Sequence, residues 1–156
     1  MRHFLFALIS WIFCASTAFA GPGSELAETA DQLRVDAENR AHAAAQRPAA
    51  PADAYALDDP FLIALEQFSA DAMRLSRAID AAGGPIDLRC IFRGMSGDAA
   101  SRLEDLINAE SAADQARIYR TLENLMRDAV DIAPAADDTD LARAVTAPFT
   151  CPATQN

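Results

Sequence analysis

The residues best suited to chemistry lie in the stretch DLRCIFRGMSGD, which begins at Asp87. Cys90 sits between Arg89 and Arg93, and positive neighbours lower a thiol's pKa and favour the nucleophilic thiolate. Gly94-Met95-Ser96-Gly97 begins like the G-x-S-x-G turn that presents a nucleophilic serine, but Asp98 stands where the last glycine belongs. Either nucleophile needs a base, and that base needs a third group to orient it. Beyond the first twenty residues the single histidine is His42, in a distant and separate helical segment. No catalytic residue is therefore assigned, and Ser96 is read as the N-cap of a following helix, with Gly94 and Gly97 turning the chain.

Metal and phosphate chemistry are weaker still. Two distant cysteines and one histidine do not make the four-ligand set of a zinc site. The acidic group at Asp137, Asp138 and Asp140 lacks the glycine and terminal glutamate of a calcium loop. Acid pairs such as Asp58-Asp59 and Glu104-Asp105 are adjacent in sequence, which does not supply the separation across a cleft that paired-carboxylate hydrolysis requires. No haem-attachment or phosphate-loop motif is present, so neither a metal nor a cofactor is expected.

Cysteine parity favours a structural role for Cys90. The chain opens MRHFLFALISWIFCASTAFA, with a short cationic start, an apolar run and small residues at Ala18 and Ala20. This pattern predicts a secretory signal peptide over 1–20, cleaved after Ala20. Its apolar run is shorter than the roughly 20 residues a membrane-spanning helix needs. Cleavage removes Cys14 and leaves Cys90 and Cys151, an even number in an exported chain. The expectation is a Cys90–Cys151 disulfide in a periplasmic or secreted protein. Arg89 and Arg93, four apart on a helix, then have two readings. They pair internally with Asp87 or Glu104, or they form a partner or anion contact with Phe92 and Met95 as apolar neighbours.

The elements that must position these residues read as helices. After the leader, 21–47 shows apolar residues at three- and four-residue steps (Leu26, Ala30, Leu33, Ala37, Ala41, Ala44), with Ser24 as the expected N-cap. That face is mostly alanine, so this segment is taken as an N-terminal helical arm. It can pack on the remainder, pair with another copy or project. Residues 48–58, PAAPADAYALD, form a Pro/Ala-rich linker.

The core domain is placed at 59–156. Asp59 caps a helix with Pro60 at its first position, and Leu62, Leu65, Phe68, Ala72, Leu75 and Ile79 form its stripe up to Gly83-Gly84. Residues 85–93 read as a strand or a short helix. No second strand candidate exists to pair with, so a short helix ending at Gly94 is expected. A further short helix spans 99–109. The last long one, 112–132, starts at Ser111 with Asp114 three residues on, as in a capping box. An acidic loop follows over 135–139, then one or two helical turns at 141–145.

The fold expected is thus all-α: a small helical bundle with an N-terminal helical arm and a disulfide-tied tail. With 13 basic and 23 acidic residues the chain would be repelled by nucleic acid and anionic membrane, and no membrane span remains after cleavage. The expected function is non-enzymatic, a protein-interaction module with a protein partner or a second copy of itself. The alternative is a small-ligand binder or hydrolase with its site between helices.

Overall fold

A computed structural model describes residues 21–138 and Cys151. The leader over 1–20, the helical turns expected at 141–145 and the Asp140 part of the acidic group lie outside the described residues. Those described form four α-helices, α1 (Pro22–Ala45), α2 (Pro60–Ala81), α3 (Ile86–Ile107) and α4 (Ala112–Ile132), followed by a 3-10 turn at Ala133–Asp137. The fold is the expected small all-α bundle.

Two helix starts follow from local chemistry. At α2, the Asp59 carboxylate accepts from Phe61 N at 2.9 Å, with Pro60 just inside the helix where its missing N–H costs nothing. At α4, Ser111 Oγ accepts from Asp114 N at 3.1 Å, the first half of a capping box, and donates to Asp114 Oδ2 at 2.7 Å, so the two side chains bond each other directly. α2 ends as its glycines predict. Gly83 takes φ of 69°, and Gly84 N donates to Ile79 O at 2.8 Å.

The bundle consists of two antiparallel pairs packed together. α1 lies along α4, its start beside Asp137 and its end beside Ala112. α2 lies along α3, joined by Ser69 Oγ donating to Ser96 O (2.9 Å) and Ser76 Oγ donating to Arg89 O (2.8 Å). Small side chains at these points let the helix axes approach closely. Phe61, Leu65, Phe68, Phe92, Leu106, Leu122 and Met126 fill the space between the pairs. All six stripe residues of α1 are buried, so it is a full member of the bundle and does not project as an arm. Its alanines bury little area each, but they allow close contact with Ala112 and Ala116 of α4.

Three expectations are corrected. First, 86–107 is one continuous helix, not a short helix, a turn and a second helix. Gly94 and Gly97 lie in its interior and do not turn the chain, and Ser96 is a buried interior residue, not a cap. Two interior glycines cost about 2 kcal/mol of helix propensity relative to alanine. Burial of Phe92, Met95, Ala99 and Leu106 against α2 along one uninterrupted stripe outweighs that cost. Second, α1 begins at Pro22 with Gly21 as its N-cap residue, so Ser24 lies inside the first turn. Third, the expected acidic loop is largely the 3-10 turn.

The segment over 48–58 is non-helical, as its prolines require, yet it is not a loose spacer. Pro51 bridges Ser111, Ala52 N donates to Glu110 O at 3.2 Å, and Ala112 N donates to Ala50 O at 3.1 Å. The first interhelical connection is thereby stitched to the third.

Candidate functional site

The residues around Cys90 do not assemble a reaction centre. Cys90 and Cys151 form a disulfide with Cα atoms 5.3 Å apart. Phe92 is completely buried and Met95 nearly so, which removes both from any contact surface. Arg89 is largely covered and pairs with Asp80 of α2, across the helix pair, in place of the expected Asp87 or Glu104. Arg93 remains exposed on the outer face, with no ion pair among the described residues. The structure thus separates the four residues proposed as one contact: two enter the core, one bridges to α2 and one faces solvent.

The densest polar convergence is elsewhere, where the 48–58 segment crosses α1 and α4. Gln115 is 1% exposed, and its amide reads the backbone of Asp53 like a strand partner. Oε1 accepts from Asp53 N at 2.9 Å, and Nε2 donates to Asp53 O at 2.9 Å and to Tyr55 Oη at 3.0 Å. Tyr55 and Tyr119 share a hydroxyl–hydroxyl bond of 2.8 Å. Beside them Arg40 grips Asp59 through both Nη atoms, at 3.1 and 3.0 Å, and lies over the Phe61 ring at 4.9 Å. The Phe61 ring in turn meets Tyr119 edge-on at 5.5 Å.

The electrostatics of this cluster favour bracing over catalysis. Burial, reinforced by the hydrogen bond with Tyr119, pushes the Tyr55 hydroxyl far up from its ordinary value and keeps it protonated. At Asp59, burial disfavours the charge, but Arg40 and the backbone N–H groups of Phe61 and Leu62 outweigh it and hold the carboxyl below its usual range. Arg40, opposed by burial and favoured by Asp59 and Tyr119, stays charged. The cluster therefore contains no poised base and no activated nucleophile. It encloses about 130 Å³, below the size of ordinary ligand pockets. Its bonds are internal, tying α1, α4 and the start of α2 to the crossing segment.

Gln115 has a signal in the sequence that went unread. It lies three residues before Ile118 and four before Tyr119, on the apolar stripe of α4, and a polar residue on such a stripe marks a buried hydrogen-bonding group.

At the same end of the bundle several large apolar side chains face solvent. Leu57 is fully exposed, and Ile63 and Ile107 are 54% and 61% exposed. The antiparallel register set by Ser69–Ser96 and Ser76–Arg89 puts Ile107, at the end of α3, at the same end of the bundle as Leu57 and Ile63. Asp58, Glu66, Glu104 and Glu110 are exposed around these residues, without ion pairs among the described residues. Exposed apolar and acidic side chains therefore share this end of the bundle, with Glu110 lining a concavity beside Arg102 and Arg117. At the opposite end an apolar concavity of about 210 Å³ lies between Leu75, Ile79, Leu88 and Ala135. No group of His, Cys, Asp and Glu able to hold a metal ion occurs among the described residues, and none of their helices is long and apolar enough to cross a membrane.

Comparison of the chain with protein-family models, with curated proteins and with solved structures finds no match.

Proposed function

We propose that this chain is an exported, non-enzymatic protein-interaction module, such as an adaptor, a chaperone-like factor or a subunit of an envelope assembly. The observation that carries the reading is the exposure of Leu57, Ile63 and Ile107 at one end of the bundle, where Asp58, Glu66 and Glu104 are exposed as well. Exposed apolar side chains grouped at one end of a small bundle suit a protein contact. The exposed carboxylates at that end suit a partner whose apolar recess is rimmed by arginine or lysine. Export is supported by the leader pattern over 1–20 and by the Cys90–Cys151 disulfide, which persists in an oxidising compartment.

The test is native mass spectrometry of the protein from its own host, combined with crosslinking. The chain contains no lysine, so the crosslinker must react with carboxylates. The expected result is a stoichiometric partner or second copy, crosslinked at Asp58, Glu66, Glu104 or Glu110. The double variant Leu57→Asp/Ile107→Asp should lose it while unfolding at an unchanged temperature. A monomer without partner, or a partner retained by the variant, overturns the proposal. The apolar concavity beside Ile79 favours a second reading, a small apolar ligand, and the same spectra would reveal such a molecule as retained mass.

A further inference from the structure

The start of α1 is capped from the far end of the described chain. Gly21 is the N-cap residue and has no side chain to offer. A Cβ built on it would lie 2.3 Å from Asp137 Oδ1 and 2.4 Å from Cγ, so the Asp137 carboxylate stands where an N-cap side chain would reach. It performs that role. Oδ1 accepts from Gly23 N at 2.7 Å, and Oδ2 accepts from Ser24 N at 2.7 Å and Ser24 Oγ at 2.6 Å. The second glycine is equally constrained, since a Cβ on Gly23 would fall 2.2 Å from Ala133 O. The carboxylate is held by hydrogen-bond donors alone, with no cation beside it among the described residues.

We infer that removal of the leader after Ala20 completes this corner, by turning the Gly21 nitrogen into an ammonium that pairs with Asp137. The inference rests on the export reading. Standard bond lengths and the contact at Gly21 place that nitrogen no more than about 5 Å from Oδ1. In the precursor it is an uncharged amide. Two effects compete once it is charged. The helix macrodipole repels a cation at an N-terminus, which ordinarily makes a free amine there unfavourable. A carboxylate within a few ångströms attracts it. Among the described residues, the other charged groups at this corner are Glu25 on α1, Asp138 after the 3-10 turn, and the Asp71–Arg74 pair on α2. Glu25 has the same sign as Asp137 and adds to the attraction. The processed chain is then the more stable form, and the precursor is the more easily unfolded one, which suits a chain that must be threaded across a membrane before it folds.

The absence of lysine makes the test clean, because the α-amine is the only primary amine and an activated acetyl ester marks it alone. Chain beginning at Gly21 is compared with and without the acetyl group, on Asp137 and Asp137→Asn backgrounds. With Asp137, acetylation should lower the folding equilibrium constant by about two- to tenfold. With Asp137→Asn, the difference should vanish or reverse, since only the dipole repulsion remains. If that variant does not fold, the α-amine pKa of the native-sequence chain replaces it, and should lie above the ordinary value of about 8. Acetylation that leaves stability unchanged or raises it on the Asp137 background, or an unraised amine pKa, overturns the ion pair. An intact mass from the native host that still includes residues 1–20 overturns the export reading instead.

Discussion

Gln115 shows how one side chain can organise a connection. Its amide meets both polar backbone groups of Asp53 and the Tyr55 hydroxyl from a position closed to water. A buried group without its partner costs its full desolvation, whereas a bond made contributes only about 1 kcal/mol net. Gln115→Ala should therefore destabilise the protein by about 2–3 kcal/mol in urea unfolding. The 48–58 segment should also become the first site of proteolytic cleavage, while the helices stay resistant. A variant with unchanged stability and unchanged cleavage would show that the Asp53 backbone is held by its other contacts, chiefly the Pro51–Ser111 bridge.

At the scale of an element, α3 is the informative case. Leu88, Phe92, Met95, Ala99, Leu103 and Leu106 recur at three- and four-residue steps straight through Gly94 and Gly97. That uninterrupted stripe was legible, and reading the glycines as breakers gave a local propensity of about 1 kcal/mol each too much weight against a whole buried face. The structure also shows that neither glycine is needed for space, because a Cβ at either position would meet nothing within 4 Å. Gly94→Ala and Gly97→Ala should each stabilise the protein by about 0.5–1 kcal/mol, read as a higher thermal midpoint. If either one lowers it, the helix is not continuous in solution. The serines that stitch α2 to α3 were not legible as such. Ser69 and Ser76 look like ordinary helix residues, and Ser96 like a cap, until the register of the two helices is known.

For the whole molecule, the disulfide is the longest-range covalent constraint, joining residues 61 apart. Closing a loop of that size restricts the unfolded chain by about 4 kcal/mol on loop-entropy reasoning. Reduction should lower the unfolding free energy by about 2–4 kcal/mol and leave the helical circular dichroism unchanged at room temperature, because the core over α1–α4 lies outside that bond. Loss of helicity on reduction would mean the bundle depends on its tail.

The sequence by itself determined what is encoded within a few residues: the amphipathic stripes of α1, α2 and α4, the caps at Asp59 and Ser111, and the Gly83-Gly84 stop. Helical periodicity and capping act over three or four positions, so they can be read along the chain. Only the tertiary structure decided that α1 joins the bundle, that Arg89 finds Asp80, that Gln115 holds Asp53, and that Asp137 caps a helix beginning 115 positions earlier. A carboxylate or an amide has no sequence preference for a distant backbone. Its partner is chosen when apolar faces pack and bring two remote segments to hydrogen-bonding distance, away from the water that would otherwise satisfy them.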